Sequence, residues 1–564
     1  MSTSTPQSAT VQPSESGEYT HRQILTIITG LMMGMFLGAL DQTIVSTAIR
    51  TIADDLQGLS VQAWVTTAYL ITSTIATPIY GRLGDLYGRK KLFMFAISVF
   101  IAGSALCSFA TSMYMLAAFR AVQGIGAGGL FTLVLAIIGD IVSPRERARY
   151  TGYFMATFGT SSVLGPVLGG FFASHAVILG VTGWRWVFLV NVPIGIAALF
   201  VVYRTLHVHH HRREARIDWW GAVTLVVALV PLLTVAEQGR QWGWDSGRAM
   251  ACYVIGVIGL GSFYAVERRM GEAAMIPLRM FRVRPVAVGI AANVVTGMAL
   301  FGGIFVLPLY MQIVHGASPM RSGFLMLPMV VGMMSASIVS GQVISRTGRI
   351  RAFPIVGSAM AAAALLALSG IGADTALPVV MALMLLLGYG LGNCMQPLLL
   401  ILQSAVPPRD IGVATSSATF FRQIGGTIGV AIFLSILFGQ VGGHIGHALE
   451  TESKTAAFQQ AVQHPVTPLD HQFAQSVQSR GHAPFLGQVT DDSSFIQKLS
   501  PALAHPFKVG FAESMDTVFL FAGLVGILAF LILLLMPKVE LRATSASAAV
   551  RSEAAPTAPV TEQI

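Results

Sequence analysis

One acidic residue lies inside a long apolar stretch of the chain. Asp41 is the only charged side chain in residues 24–49, which read ILTIITGLMMGMFLGALDQTIVSTAI. An ionised carboxylate in the middle of a membrane-spanning helix costs about 2.5–3.5 kcal/mol on insertion scales, so it usually faces a protein interior or a watery cavity and marks an ion or substrate path. The alternative is a helix end close to the membrane interface. We expect Asp41 to lie on such a path.

Two arginines occupy apolar stretches of the same kind. Arg120 lies in LAAFRAVQGIGAGGLF, with Gln123 nearly one turn further along, and Arg422 lies in TFFRQIGGTIGV without an acidic residue in its own helix. A guanidinium keeps its proton under working conditions and therefore does not carry one itself. It can hold a nearby carboxylate until a substrate or another charge intervenes. For Arg120 the alternative is a position near an interface, bonded to backbone carbonyls.

The composition places the whole chain in a membrane. Of its 564 residues 54% are hydrophobic and only 11% are charged, whereas soluble domains carry about 25% charged residues. Apolar stretches of membrane-spanning length recur along the chain and predict about fourteen helices. The first is too long for a secretory signal and has no cleavage site after it. Residues 1–23 and 538–564 are polar and are expected to be disordered cytoplasmic tails.

The net charge of +9 is explained by topology. With both termini placed inside, most arginines and lysines fall in the connections on the inner side. The short outer connections then hold only Arg50, Arg185, Arg240, Arg248 and Arg321. This bias is typical of inner-membrane or plasma-membrane proteins and predicts two cytoplasmic termini. We therefore expect the lipid bilayer, and no nucleic acid, as a partner.

The sequence contains no recognisable metal, cofactor or nucleotide motif. Cys107, Cys252 and Cys394 lie apart in apolar segments and are expected to be packing residues. The histidines of HVHHHRR (207–213) have no partner cluster, so a solvated basic loop is favoured over a metal site. No glycine-rich phosphate loop with a Lys-Ser/Thr pair is present. These observations argue against an enzyme and against direct ATP hydrolysis.

Two segments of the chain repeat in one register. A shift of 260 residues carries GRLGDLYGRKK (81–91) onto GQVISRTGRIR (341–351). The same shift carries GTSSVLGPVLGG (159–170) onto TFFRQIGGTIGV (419–430). The alternative is coincidence between glycine-rich helices, but two loci in one register favour homologous halves. Transporters are commonly built from such repeats, with substrate held between them.

The repeat predicts a division of the chain. Residues 24–204 and 286–537 are expected to form two six-helix bundles, and 205–285 an inserted pair of helices with loops. Residues 439–514 are polar and are expected to form a long extracytoplasmic loop within the second bundle. No motif in this loop chooses between a small folded cap and a contact with an adaptor.

These motifs carry a specific resemblance. GRLGDLYGRKK resembles the signature loop between the second and third helices of the major facilitator superfamily, and RAVQGIGAG (120–128) resembles its helix-four motif. GTSSVLGPVLGG is similar to the helix-five motif of its proton-driven exporters, which makes an importer less favoured. Three segments resemble the fourteen-helix drug:proton antiporters of the EmrB/QacA type: LDQTIVSTAI (40–49), WRWVFLVNVPIG (184–195) and FFRQIGGTIGV (420–430). The resemblance implies an all-α membrane protein with the major facilitator fold, two pseudo-symmetric six-helix bundles plus two inserted helices.

The resemblance also assigns roles to the charged and small residues. Asp41 and Arg120 would couple transport to protons. Arg89 and Lys90 would pair with Asp140 or Glu146 in a conformational latch, the alternative being basic residues that only determine topology. The predicted latch comprises Gly81, Asp85, Gly88, Arg89, Lys90 and Asp140. A stripe of small residues around a helix-bending proline would seal and hinge the two halves. The stripe comprises Ser161, Gly165, Pro166, Gly169 and Gly170, with Gly425, Gly426 and Gly429 as its counterpart.

The number and position of acidic residues in the predicted spans indicate which charge the substrate carries. Apart from Asp41, the membrane acids Glu237, Glu267, Glu513 and Asp516 are placed near the ends of predicted spans. A lipophilic monocation, a neutral compound or an anion therefore fits better than a dication. The residues expected to contact substrate are Trp64, Tyr69, Gln123, Phe131, Asn393, Gln396 and Arg422.

The function predicted is proton-coupled export of drugs or antibiotics by alternating access. The proton gradient would supply the energy without a cofactor, and the protein is expected to be a monomer. The sequence does not indicate an adaptor or outer-membrane partner. One alternative is a dedicated exporter of an endogenous metabolite, such as an antibiotic or a siderophore. A proton-gated sensor or channel is a more distant alternative.

Overall fold

The computed structural model describes residues 21–57, 63–142, 144–206, 218–407, 410–480 and 494–539. Most of the two predicted tails and the histidine run at 207–213 lie outside the described residues. The expectations about them therefore stay predictions.

Helices make up nearly all of the described chain. They are α1 (His21–Asp55), α2 (Ala63–Tyr87), α3 (Arg89–Ser108), α4 (Met113–Ile141), α5 (Pro144–Ser174), α6 (Trp186–Leu189), α7 (Asn191–Thr205), α8 (Trp219–Trp242), α9 (Gly247–Met270), α10 (Arg284–Ile313), α11 (Pro319–Leu325), α12 (Leu327–Thr347), α13 (Ala352–Leu368), α14 (Leu377–Ala405), α15 (Ile411–Glu452), α16 (Ala456–Gln463), α17 (Pro468–Arg480) and α18 (Pro501–Leu534). A short antiparallel hairpin, β1 (Val177–Ile178) and β2 (Val181–Thr182), precedes α6.

Fourteen helical positions follow one another, as predicted. Within the described residues, 11 helical segments are long and apolar enough to cross a membrane. The apolar parts of α10 and α13 and the helix α2 occupy the other three positions. Two positions are broken helices: α6 and α7 together form one, and α11 and α12 form another. Hydropathy predicts this arrangement well because continuous apolar length is the strongest signal in a membrane sequence.

The predicted loop at 439–514 is wrong in its outer parts. Helix α15 continues to Glu452, and α18 already begins at Pro501. At 1.5 Å per residue the 42 residues of α15 rise about 63 Å, roughly twice the hydrocarbon thickness of a bilayer. The extension was missed because it is amphipathic: Val441, Ile445 and Leu449 recur every fourth residue and are buried.

Helices α16 and α17 pack on these extensions as a cap. Phe473 stands edge-on to both Phe458 of α16 and Phe507 of α18, at ring-centroid distances of 6.3 and 5.8 Å. His505 of α18 contacts Glu452 Oε1 through Nδ1 at 2.6 Å and Asp374 Oδ1 through Nε2 at 3.3 Å. The start of α18, on which the cap packs, is thereby tied to the end of α15 and to the connection between α13 and α14.

Asp470 holds the backbone of the cap together. Its carboxylate accepts hydrogen bonds from the N–H groups of Thr467 at 3.0 Å, Val466 at 3.3 Å and Ser500 at 2.9 Å. Burial alone would raise the pKa of Asp470, but these donors lower it below its ordinary value. The ionised carboxylate therefore stabilises the cap.

Acid is expected to loosen this cap. A carboxylate with a lowered folded-state pKa contributes stability above its ordinary pKa, and loses it as the pH falls through the folded value. The protection factors of the Thr467 and Ser500 amides, which correct for the slower intrinsic exchange in acid, should fall by roughly tenfold at acid pH, equivalent to about 1.4 kcal/mol. In Asp470→Asn the same amides should already exchange fast at neutral pH. Equal protection of both proteins at neutral pH would contradict this role.

The aligned glycines of the repeat both have a positive φ angle. Gly88, which follows α2, has φ 96°, and Gly348, which follows α12, has φ 70°. Both values lie in the region that favours glycine. The two positions matched by the shift of 260 residues thus both follow a helix and both need a glycine, although ψ differs, 130° at Gly88 and −2° at Gly348.

The small-residue stripe of α5 lies against its own half of the chain. A Cβ atom added at Gly169 would lie 2.7 Å from the carbonyl oxygen of Ile44 in α1, and one at Gly165 would meet Thr43. The counterparts behave alike: Gly425 and Gly429 pack on Val294 and Met298 of α10. The buried residues Ser161 and Gly426 belong to the same two helices.

Contacts from α5 to the second half come from other positions. A Cβ atom at Gly159 would lie 2.6 Å from Val330 of α12, and one at Gly323 of α11 would lie 3.2 Å from Pro166. Nothing described lies within 4 Å of an added Cβ at Gly170. Its predicted place in the stripe is therefore wrong, because successive residues of a helix point about 100° apart.

Matched glycine substitutions test this packing. Gly169→Ala should lower the unfolding free energy by about 1–3 kcal/mol, because the methyl group must push α5 away from the α1 backbone. Gly170→Ala, one residue on, should leave it unchanged. Thermal unfolding of the detergent-purified proteins measures both, and equal stability of the two variants would show that the α1–α5 crossing is not closely packed.

Candidate functional site

Asp41 is completely enclosed among α1, α4 and α7. Its side chain is 0% exposed, and Arg120 is 2% exposed. The Oδ2 atom accepts a hydrogen bond from Arg120 Nη1 at 2.5 Å. The Oδ1 atom accepts two more, from Gln123 Nε2 and from Asn191 Nδ2, both at 2.9 Å. The structure thus brings the three predicted residues together and adds Asn191.

Ser104 of α3 completes this network. Its Oγ accepts from Gln123 Nε2 at 3.1 Å and from Asn191 Nδ2 at 3.0 Å. Its hydroxyl donates to the carbonyl oxygen of Phe188 at 3.0 Å. Both amide NH₂ groups therefore use one hydrogen on Asp41 and the other on Ser104. This arrangement satisfies an ionised carboxylate, which can only accept.

Tyr69 of α2 lies beneath the guanidinium. The carbon at the centre of the Arg120 guanidinium is 4.0 Å from the centroid of the Tyr69 ring, a cation–π contact. Tyr69 is only 1% exposed. In this conformation Tyr69 and Gln123 therefore support the ion pair and do not form an open wall for substrate.

Glycines allow the helices around Asp41 to approach so closely. In α4, added Cβ atoms at Gly124 and Gly128 would collide with the backbone of α2, and one at Gly126 would lie 2.5 Å from the Phe100 nitrogen of α3. A Cβ atom at Gly103 would lie 2.6 Å from the Cα of Gln123. The segment RAVQGIGAGG thus presents one glycine face to α2 and another to α3, with Arg120 and Gln123 fixed between them.

The segment WRWVFLVNVPIG positions Asn191. Trp184, buried at its start, donates from Nε1 to Asp55 Oδ2 at 2.7 Å and so anchors the segment to the end of α1. Arg185 donates to the carbonyl oxygen of Ser108 at the end of α3. Sequence reasoning noticed this motif but missed Asn191 and Ser104, because neutral polar residues are common in apolar helices. The asparagine within the motif was the available signal.

The predicted latch forms around Arg89. Its Nη2 atom lies 2.8 Å from Asp85 Oδ1, and its Nε atom lies 2.6 Å from Asp140 Oδ2 at the end of α4. Lys90, in contrast, does not join this cluster: its Nζ donates to the carbonyl oxygen of Tyr203 at 2.9 Å. Its inclusion in the latch is wrong, because it points to a different side of α3. The side chain of Glu146 is not among those described.

The latch lies against the second half of the chain. An added Cβ at Gly412, in the first turn of α15, would collide with the Asp85 carboxylate, which is thus held at the positive end of that helix. An added Cβ at Gly81 would collide with Ser416. Thr77 Oγ1 donates to Gln423 Oε1 at 3.4 Å. The two halves are thus in contact at the latch end, the end of the bundle that carries Arg89.

Neutralising one latch residue should loosen this end. Asp140→Asn removes an ion-paired acceptor from Arg89, worth about 1.5–3 kcal/mol. Alkylation of Ser416→Cys in a background without the native cysteines should then accelerate by roughly tenfold, equivalent to about 1.4 kcal/mol. Lys90→Gln is the matched control and should leave the labelling rate unchanged. Acceleration by Lys90→Gln alone would contradict the assignment.

The other substrate candidates are spread over the molecule. Trp64 contacts Trp242 of α8 at a ring-centroid distance of 6.4 Å, and Phe131 stacks on Phe158 of α5 at 5.7 Å. Asn393 is buried and donates to the Tyr389 carbonyl oxygen at 3.0 Å. It therefore belongs to the packing between α13 and α14.

Two polar candidates in the second half remain partly exposed. They are Gln396 of α14 and Arg422 of α15. Among the described residues, no hydrogen bond or ion pair is formed by the Arg422 guanidinium. The Cγ atom of Arg422 packs beside Gly297 of α10, 3.2 Å from an added Cβ there. The second half thus carries a cation without a neighbouring acid.

One acid lies deeper in its helix than predicted. Asp516 is near the middle of α18, because that helix begins at Pro501. It is half-buried, and its Oδ1 atom has no hydrogen-bond partner. Glu267 lies near the end of α9, as expected, and accepts from the Ile276 N–H at 3.1 Å.

Comparison with known proteins agrees with this architecture. The sequence profile of the Major Facilitator Superfamily matches residues 31–430. The chain is 37% identical over 415 residues to the multidrug transporter protein MdtP of Bacillus subtilis (strain 168), covering 73% of this chain and 75% of that protein. It is 35% identical over 408 residues to multidrug resistance protein 3 of the same organism, covering 71% and 77%.

A solved structure shows the same fold. The proton:xylose symporter XylE, bound to 6-bromo-6-deoxy-D-glucose, matches with a TM-score of 0.57 and covers 94% of this chain and 100% of its own. The identity is 15%, so the likeness concerns the fold alone.

Proposed function

The chain belongs to the major facilitator superfamily of transporters, and we propose that it is a proton-coupled exporter of lipophilic small molecules. The observation that carries this proposal is the enclosed Asp41–Arg120 pair. The relatives named multidrug transporter and multidrug resistance protein support export, and the small-residue motif of α5 is of the exporter type. The EmrB/QacA type of antiporter is part of this proposal.

Protonation of Asp41 changes the balance of charge in the first half. With Asp41 ionised, Arg120 is neutralised at 2.5 Å and all three donors are used. A proton on the carboxyl group leaves Arg120 as an uncompensated buried cation and removes the reason for three donors to converge. The helices that meet at Asp41 are then favoured in a different arrangement. Such a two-state element is what alternating access requires.

The sidedness follows from the latch end, which we propose faces the cytoplasm. Helix α1 begins there, with His21 Nδ1 2.7 Å from the hydroxyl of Tyr150 in α5. Helix α18 also ends there, with Arg351 Nη2 donating to the Leu534 carbonyl oxygen at 3.1 Å. Both termini would then be cytoplasmic, and the structure would be closed towards the cytosol. The cap would project on the opposite side.

The charges favour a lipophilic monocation, a neutral compound or an anion as substrate. Asp41 is enclosed and already paired, so it offers no free negative charge to a substrate in this conformation. Arg422, without an acidic partner among the described residues, makes a dication the least suitable ligand.

Removal of the titratable group tests the proposal. Asp41→Asn should abolish proton-driven export from proteoliposomes, by at least about tenfold, because the amide cannot exchange a proton. Asp516→Asn is the control for loss of a half-buried acid and should retain export. Thermal unfolding checks that both variants are folded. Undiminished proton-driven export by a folded Asp41→Asn protein would contradict the proposal.

A further inference from the structure

The network around Asp41 contains an unused acceptor on one of the amides that bind the carboxylate. Asn191 donates through Nδ2 to both Asp41 Oδ1 and Ser104 Oγ, yet its own Oδ1 is buried and has no hydrogen-bond partner within the described part of the chain. A buried amide oxygen left unpaired costs free energy. In Gln123, the other amide that binds Asp41, the side-chain oxygen is paired: Gln123 Oε1 accepts from Arg120 Nη1 at 2.7 Å.

A protonated Asp41 needs a hydrogen-bond acceptor, and Asn191 Oδ1 is available as one. The new O–H group is a donor and must find an acceptor in a site from which water is excluded. Ser104 Oγ already accepts two hydrogen bonds and donates one, and Gln123 Oε1 is occupied by Arg120. The charged and titratable groups that face Asp41 are Arg120 of α4, Tyr69 of α2 and Cys107 of α3. Arg120 cannot accept a hydrogen bond, and the Tyr69 ring lies on the Oδ2 side, beneath Arg120.

We propose that Asn191 is a positioning residue whose side-chain amide rotates when Asp41 takes up a proton, so that Asn191 Oδ1 accepts from the new carboxyl O–H. The proton comes from solution and stays on Asp41. Asn191 exchanges a donated bond for an accepted one, and its Nδ2 leaves Ser104 in the same movement. This inference rests on the proposed function, because it assumes that Asp41 is protonated during transport.

Rotation of the Asn191 amide changes hydrogen bonds that join neighbouring helices. Ser104 ties α3 to α6 through the Phe188 carbonyl oxygen, and Asn191 is the first residue of α7. Loss of the Asn191–Ser104 bond therefore removes one of the two hydrogen bonds by which Ser104 joins α3 to the α6–α7 junction. Protonation at one atom would thereby alter a helix junction that is anchored to α1 through Trp184 and Asp55.

The scarcity of asparagine makes this movement measurable. The chain contains three asparagines, Asn191, Asn293 and Asn393. Protein labelled with ¹³C-asparagine, in detergent and without substrate, would be titrated with acid and followed by infrared difference spectroscopy. The Asn191 amide band, assigned by its loss in Asn191→Leu, is expected to shift at the same pH at which the Asp41 carboxyl band appears. The bands of Asn293 and Asn393 should stay constant. An Asn191 band that does not change across the Asp41 titration would overturn the proposal.

Transport assays separate this inference from the proposed function. Asn191→Leu is expected to lower proton-driven export by at least about tenfold and to shift its pH profile, whereas Asn293→Leu, a matched change at another buried asparagine, should leave both unchanged. Loss of export in Asp41→Asn together with a wild-type pH profile in Asn191→Leu would overturn the role of Asn191 alone. Full export by Asp41→Asn would overturn the proposed function instead. If Asn191→Leu does not fold, the Asn191 band of the unmodified chain is assigned by elimination, from the bands that disappear in Asn293→Leu and Asn393→Leu.

Discussion

A buried ion pair, Asp41 with Arg120, is the interaction on which the rest of this structure depends. Two opposite charges at 2.5 Å, with almost no exposure, are tolerated inside an apolar bundle only when the remaining lone pairs and protons are also satisfied. That requirement explains the polar residues around it. Gln123 and Asn191 donate the other hydrogen bonds that the carboxylate accepts, and Ser104 accepts from the same amide groups. The Tyr69 ring covers the guanidinium.

The close packing of the first half serves the same requirement. An arginine on α4 reaches an acid on α1 only if α4 lies tightly between α2 and α3, and Gly124, Gly126 and Gly128 permit this. The α5 stripe presses on the same stretch of α1 through Gly165 and Gly169. The latch residue Arg89 joins α2, α3 and α4 at the latch end. A change in the charge of Asp41 therefore reaches elements that meet the second half.

Much of the fold was predictable because it rests on apolar length and on motif residues. The fourteen helical positions, the meeting of Arg120 with Asp41, and the Arg89–Asp140 pair agree with the sequence predictions. The direction of a side chain could not be predicted from that of its neighbour in sequence. Lys90 donates to the Tyr203 carbonyl oxygen, and no described atom lies within 4 Å of an added Cβ at Gly170, although each follows a residue that was placed correctly. The sequence left open whether residues 439–514 form a cap, because amphipathic helices outside a membrane lack continuous apolar length. Asn191 and Ser104 were missed because tertiary packing alone joins them to Asp41, 150 residues away in the case of Asn191.

Proton release on substrate binding tests the central claim most directly. If Asp41 is the coupling site, adding a transported compound to the purified protein in weakly buffered solution should change the number of bound protons, and Asp41→Asn should abolish that change. Retained substrate binding by the variant would show that the loss concerns the proton alone. A proton change of the same size in a folded, substrate-binding Asp41→Asn protein would contradict the account and place the coupling site elsewhere.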